Sequence, residues 1–241
     1  MDDERNITDD LSDIETSDLM KSLPSYFDFS GDILNSAYLT WRFDGRRDVE
    51  IKFYEMGKAY LDTSLALIDV CLADNGDKKA DTWIFPILFH IVHGIEVYLK
   101  GFNSQYRIYA KLKSREYQET KIEGAHDIRQ LCQVAMRLIK ENKDKGLLPE
   151  FLFIQKFIEI LYANTADMTF ARYPLTDKKA NHFYVSQDAN ITIDLNVLKA
   201  WVIRVSYILD TSTGFIDFQI DETKEWLYEL QQEYGDPYEG I

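Results

Sequence analysis

His93, Glu96 and Lys100 stand three and four residues apart, the spacing that sets side chains on one face of an α-helix. They form a narrow polar stripe opposite the apolar face of that helix, where His93 suits a polar seam between helices and Glu96 an ion pair with Lys100. Glu96 precedes Lys100, the better order for such a pair, which contributes about 0.2–0.5 kcal/mol when exposed. His126-Asp127 opens a second polar segment, and Arg172-Tyr173-Pro174 followed by His182 makes a third. A guanidinium can hold a phosphate and its developing charge while an imidazole moves the proton of a hydroxyl or leaving oxygen. In these segments Arg172, His182 and His126 carry side chains of those types. His93, Glu96, Lys100, Asp127 and Tyr173 form the candidate binding or structural polar network. The same residues also fit a folding role, with Arg172 clamping its loop onto Glu96, His126 capping a helix end, and Glu96, Arg172 and His126 satisfying one another.

Other chemistries find less support. His90, His93 and Glu96 recur every third residue, but they fan over a wide arc of one helix and lack the Glu-x-x-His pattern of di-iron bundles, so no metal is expected. No Gly-x-Ser-x-Gly elbow and no phosphate-cradling glycine loop is present, and no cofactor is expected. Cys71 and Cys132 both fall in apolar helical patterns and read as core thiols in a reducing compartment.

These side chains need helices to position them. Phe53, Gly57, Leu61, Ser64, Ile68 and Cys71 mark one face of a helix over about 49–72, ended by Asn75-Gly76-Asp77. A second helix is expected from Pro86, with Ile87, Ile91, Ile95 and Leu99 inward. A third starts near His126-Asp127 and a fourth spans about 149–166. Asp194 is the expected N-cap of a fifth, and a short last helix lies near 221–234. Phe183-Tyr184-Val185 and Ile191-Thr192-Ile193 are β-prone and suggest a hairpin-like loop. The fold class is thus all-α, an antiparallel bundle of four to five helices over 49–212. An acidic, flexible arm (1–22), an aromatic N-terminal wrap (23–48), and a C-terminal helix and tail (213–241) complete the chain.

Three segments in order, Phe85 to Lys100, His126 to Leu131, and Phe170 to Pro174, resemble the HEPN superfamily of helical bundles. The likeness covers about residues 50–210 and points to prokaryotic members. It implies a bundle that often dimerises, a place in toxin–antitoxin or anti-phage systems, and often metal-independent ribonuclease activity. By the same likeness the candidate catalytic residues are Arg172, holding phosphate, and His182 or His126, moving protons, as in a metal-independent ribonuclease. The family's enzymes carry an Arg four to six residues before a His. Here no His has such an Arg; Lys121 precedes His126 with four residues between, and nine residues separate Arg172 from His182.

The resemblance implies a HEPN-like component of a prokaryotic or phage conflict system acting mainly through protein or RNA partners. Its alternatives are a divergent endoribonuclease toxin and an acidic, non-catalytic interaction or inhibitor subunit. The 241 residues carry a net charge of −14, which opposes a broad DNA-binding surface yet leaves room for a local cationic pocket that takes RNA. The expected partners are a second copy of the chain, a protein of a defence or toxin system, and RNA, without membrane or DNA. Met1-Asp2-Asp3-Glu4 lacks the basic start of a signal peptide, and a cytoplasmic location is expected.

Overall fold

The computed structural model describes residues 34, 36–39, 48–113, 126–144, 146–163, 165, 167–185 and 191–234. The acidic arm, most of the aromatic wrap and Lys121 lie outside the described residues. The chain divides into a unit at 1–44 and a larger one at 45–241, which carries every long helix below.

Among the described residues there are five α-helices and no strand: α1 (Val49–Ala73), α2 (Ala80–Leu112), α3 (Ile128–Glu141), α4 (Leu148–Leu161) and α5 (Leu195–Tyr234). The expectation of an all-helical chain holds at that level. α2 is the central helix, packing against α1, α3 and α5, while α4 joins α3 to α5. By length and composition α2 could cross a membrane, with a mean hydropathy of 1.4 in its most apolar window. Here its apolar face, with Ile87, Ile91, Ile95, Leu99 and Phe102, fills the centre of the core.

The turn between α1 and α2 explains where α2 begins. The Asn75 side chain accepts from the Ala80 N–H (3.0 Å) and Asp77 accepts from the Lys79 N–H (3.1 Å). These oxygens satisfy donors that a helix start leaves orphaned, so α2 opens at Ala80 rather than at Pro86. Pro86 sits exposed inside the helix, where its missing N–H removes one intrahelical bond.

α1 and α2 approach closely through glycines. A Cβ on Gly94 would lie 2.9 Å from Leu61 Cγ and 3.0 Å from the Gly57 carbonyl oxygen. A Cβ on Gly57 would lie 2.8 Å from the Tyr98 ring. This contact fixes α2 between His93 and Glu96, and so sets the height of the polar stripe against α1.

Asp194 caps α5 as expected, accepting from the Asn196 and Val197 N–H groups at 2.9 and 3.0 Å. The helices expected at 195–209 and 221–234 are one continuous helix. Ser212-Thr213-Gly214 reads as a break, but Ser212 and Thr213 are buried and Thr213 donates its hydroxyl to the Asp210 carbonyl at 2.9 Å. Ile216 and Ile220 then carry the buried stripe onward, so no boundary falls at 212/213.

The hairpin-like loop is also corrected. Phe183–Val185 is a 3-10 turn, its rings turned onto Phe170, and 191–193 form no strand or bridge among the described residues. The only bridge among the described residues joins Leu175 to Asn181, closed by the Thr176 N–H to Ala180 carbonyl bond at 2.9 Å. Lys179, at φ 56°, supplies the left-handed residue this tight turn requires.

Candidate functional site

The stripe on α2 is longer than its polar members. Phe85, Phe89, His93, Glu96 and Lys100 follow steps of four, four, three and four, one line along the helix. Its polar end is built around Glu96. That carboxylate is buried, with 10% of its side chain exposed. Oε1 accepts from Lys100 Nζ and from His126 Nδ1, each at 2.9 Å, and Oε2 lies 3.9 Å from His93 Nδ1. A carboxylate on Nδ1 places the ring proton there and leaves Nε2 of His126 as a lone-pair acceptor. His126 keeps 76% of its side chain exposed, so that nitrogen faces solvent while its orienting partner does not.

The start of α3 holds His126 in place. Asp127, next in the chain, is the N-cap, accepting from the Arg129 N–H at 2.9 Å. It also grips the Arg129 side chain, at 3.0 Å from Nε and 2.8 Å from Nη2. The hydrogen bonds from Arg129 hold the Asp127 carboxyl below the usual carboxylate range. The Arg129 guanidinium in turn lies 4.1 Å from the centre of the Tyr162 ring.

Tyr162 lies between this cluster and the next. Burial pushes its phenol up to about 12, and the charges of Asp127, Asp167 and Glu96 add to that. Asp167 receives the N–H and hydroxyl of Thr169, which with the nearby charges of His182 and Arg172 hold its carboxyl low. The charges of Arg172 and His182, separated in sequence by the loop, are thus both felt at Asp167.

Arg172 is exposed, with its guanidinium 5.5 Å from the Tyr173 ring, and it is ion-paired to no carboxylate among the described residues. The expected Glu96–Arg172–His126 network is therefore replaced. Lys100 takes the position expected of Arg172, because it lies one turn from Glu96 on the same helix while Arg172 follows a 3-10 turn beside Asp167. His182 is 5% exposed, packed against Phe170 and Tyr184, and its Nε2 is buried without a hydrogen-bond partner among the described residues.

Around His93 the site is aromatic. The ring stacks on Phe89 (5.7 Å between centroids, 5° between planes) and takes the edge of Tyr60 from α1 at 4.5 Å. Phe85, one turn before Phe89, meets Tyr184 at 5.5 Å. The four-residue spacing of Phe85 and Phe89 before His93 is the sequence signal for a shared face. No group of three His, Cys, Asp or Glu suited to a metal ion occurs among the described residues. His90 shares no carboxylate with His93; it lies against Tyr60 and Phe89.

The chain matches no family model, and no curated protein or solved structure is significantly similar to it.

Proposed function

We propose that this chain is a HEPN-like ribonuclease of the kind used in prokaryotic or phage conflict systems, cleaving RNA by imidazole acid–base chemistry without a metal. The observation that carries this reading is the buried Glu96 carboxylate, bonded on one oxygen to an exposed imidazole and an ammonium and flanked on the other by a second imidazole. In the proposed reaction His126 Nε2 takes the 2′-hydroxyl proton as the 2′-oxygen attacks phosphorus. The phosphorus–O2′ bond forms and the phosphorus–O5′ bond breaks. The imidazolium of His93 gives its proton to the departing O5′, and Lys100 offsets charge on the phosphoryl oxygens. The products are a 2′,3′-cyclic phosphate and a 5′-hydroxyl end. Arg172, free of any carboxylate bond among the described residues, is assigned to a neighbouring phosphate.

The test is cleavage of labelled RNA by the full chain in EDTA. Glu96→Gln and His126→Ala are expected to lose about 10²–10⁴-fold in rate, the usual worth of a positioned acid or base. Arg172→Ala is expected to weaken RNA affinity. Wild-type cleavage that survives His126→Ala, or ends that are not cyclic phosphates, would overturn the reading.

A second reading is action through a second copy of this chain. It is favoured by the exposed apolar line of Ile203, Tyr207, Phe215 and Phe218 along α5. Sedimentation should then show a dimer that Phe218→Glu dissociates, and a monomer at all concentrations would exclude it.

A further inference from the structure

The polar end of the α2 stripe was assigned above; its aromatic end has no role in that chemistry. Phe85, Phe89 and His93 on α2, Tyr60 on α1 and Tyr184 in the 3-10 turn Phe183–Val185 are each only partly buried. α2 has a complete apolar face elsewhere, turned into the core through Ile87, Ile91 and Ile95. Phe85, Phe89 and Tyr184 rest against that core on one side and keep the rest of their surface open, in a line continuous with the acid–base residues because Phe89 stacks directly on His93. Phe89 precedes Glu96 by seven residues, about 10 Å along the axis at the helical rise. That is the scale separating a phosphate from the base of an adjoining nucleotide.

We infer that this ledge is the base-binding subsite of the proposed site, and that its ligand is single-stranded RNA whose unpaired base stacks on Phe89, between Tyr60 and Tyr184. The inference rests on the reading of the polar end as a phosphodiester site. Aromatic faces accept any base, so recognition there is by strandedness rather than by sequence. Bases of an A-form duplex are already stacked and do not reach the ledge. The chain thereby acquires a preference for loops and unpaired ends.

The experiment is fluorescence anisotropy with the full chain and a short labelled RNA carrying 2′-O-methyl sugars, which block cleavage, as a single strand and as a duplex. Phe89→Ala and Phe89→Leu should weaken single-strand binding about 5- to 150-fold, the equivalent of about 1–3 kcal/mol per stacked base. Phe89→Trp should retain it. Leu keeps apolar bulk and Trp keeps the ring, so an effect of Leu that Trp does not share separates stacking from folding. Equal affinity for the duplex, or a Leu variant within two-fold of wild type, overturns the inference, as does no binding of either RNA. Unblocked RNA run in parallel separates the two proposals. Phe89-dependent binding without wild-type cleavage removes the ribonuclease reading and leaves the base subsite. Cleavage indifferent to Phe89 removes the subsite alone.

Discussion

Gly94→Ala and Gly214→Ala make the same chemical change in two helix interiors, and the structure assigns them opposite signs. Replacing a helix-interior glycine with alanine gains about 0.5–1 kcal/mol by narrowing the unfolded backbone. At Gly214 an added Cβ meets nothing within 4 Å, so that gain is expected in full. At Gly94 the Cβ meets Leu61 Cγ at 2.9 Å and the Gly57 carbonyl oxygen at 3.0 Å. Leu61 is fully buried and has no room to rotate away, and the Gly57 oxygen belongs to α1's own backbone. Overpacking of this kind costs about 1–3 kcal/mol. Subtracting the propensity gain leaves Gly94→Ala destabilising by up to about 2 kcal/mol. Urea denaturation checks this as a shift in midpoint at unchanged slope, downward for Gly94→Ala and upward for Gly214→Ala. Adding Leu61→Ala to Gly94→Ala should cost less than Leu61→Ala alone, because the new methyl fills part of the space. If Gly94→Ala stabilises as much as Gly214→Ala, α1 and α2 do not meet through these glycines, and the positioning of His93 and Glu96 argued here fails.

Two further outcomes follow from the same packing. Asp127→Ala should destabilise the chain by about 0.5–2 kcal/mol through loss of the α3 N-cap, with Asp127→Asn costing less. Because Arg129 holds the Asp127 carboxyl below its ordinary value, this contribution is present above the ordinary carboxylate range and disappears as pH falls through the folded-state value. The difference between wild type and Asp127→Ala should therefore shrink on acidification; a difference that grows would refute the assignment. Burial pushes the Cys132 thiol up to about 12, so in the native chain it should resist thiol reagents at neutral pH and react only on unfolding. Rapid labelling of Cys132 in the folded chain would show that the α3 core is open.

The helices were legible where apolar spacing was regular: α1 ends within a residue of its expected limit, and Asp194 caps α5 as its position suggested. The misses have specific causes. Pro86 looks like a helix start only until the side chains of Asn75 and Asp77 are seen to reach the donors around Ala80. Ser212-Thr213-Gly214 looks like a break because local propensity says nothing of the buried contacts of Ile216 and Ile220 on either side of the question. In the site, the His93–Glu96–Lys100 line was readable because its partners share one helix. That His126 would join Glu96 while Arg172 stayed apart from it depends on how α3 and the loop after α4 return to α2, which no spacing encodes.

The net charge of −14 does not settle how the site meets RNA, because the carboxylates there are engaged. Glu96 is held by Lys100 and His126, Asp127 by Arg129, and Asp167 by Thr169. Asp48, Glu50, Asp217 and Asp221 gather elsewhere, about the start of α1 and the middle of α5, where burial and their mutual repulsion raise the Asp217 carboxyl. Among the residues assigned to the site, two cations are open to a phosphate: Arg172, and Lys100 through the N–H groups that Glu96 does not take. Binding of a single strand releases counterions in proportion to the phosphates neutralised, with a slope near −0.7 for each. One or two contacts give a log–log salt slope of about −0.7 to −1.4. Affinity must then come mainly from stacking on the aromatic ledge, and should change little between low and physiological salt. A slope several times steeper would mean that a basic surface outside this site carries the RNA, and the ledge would lose its place as the principal contact.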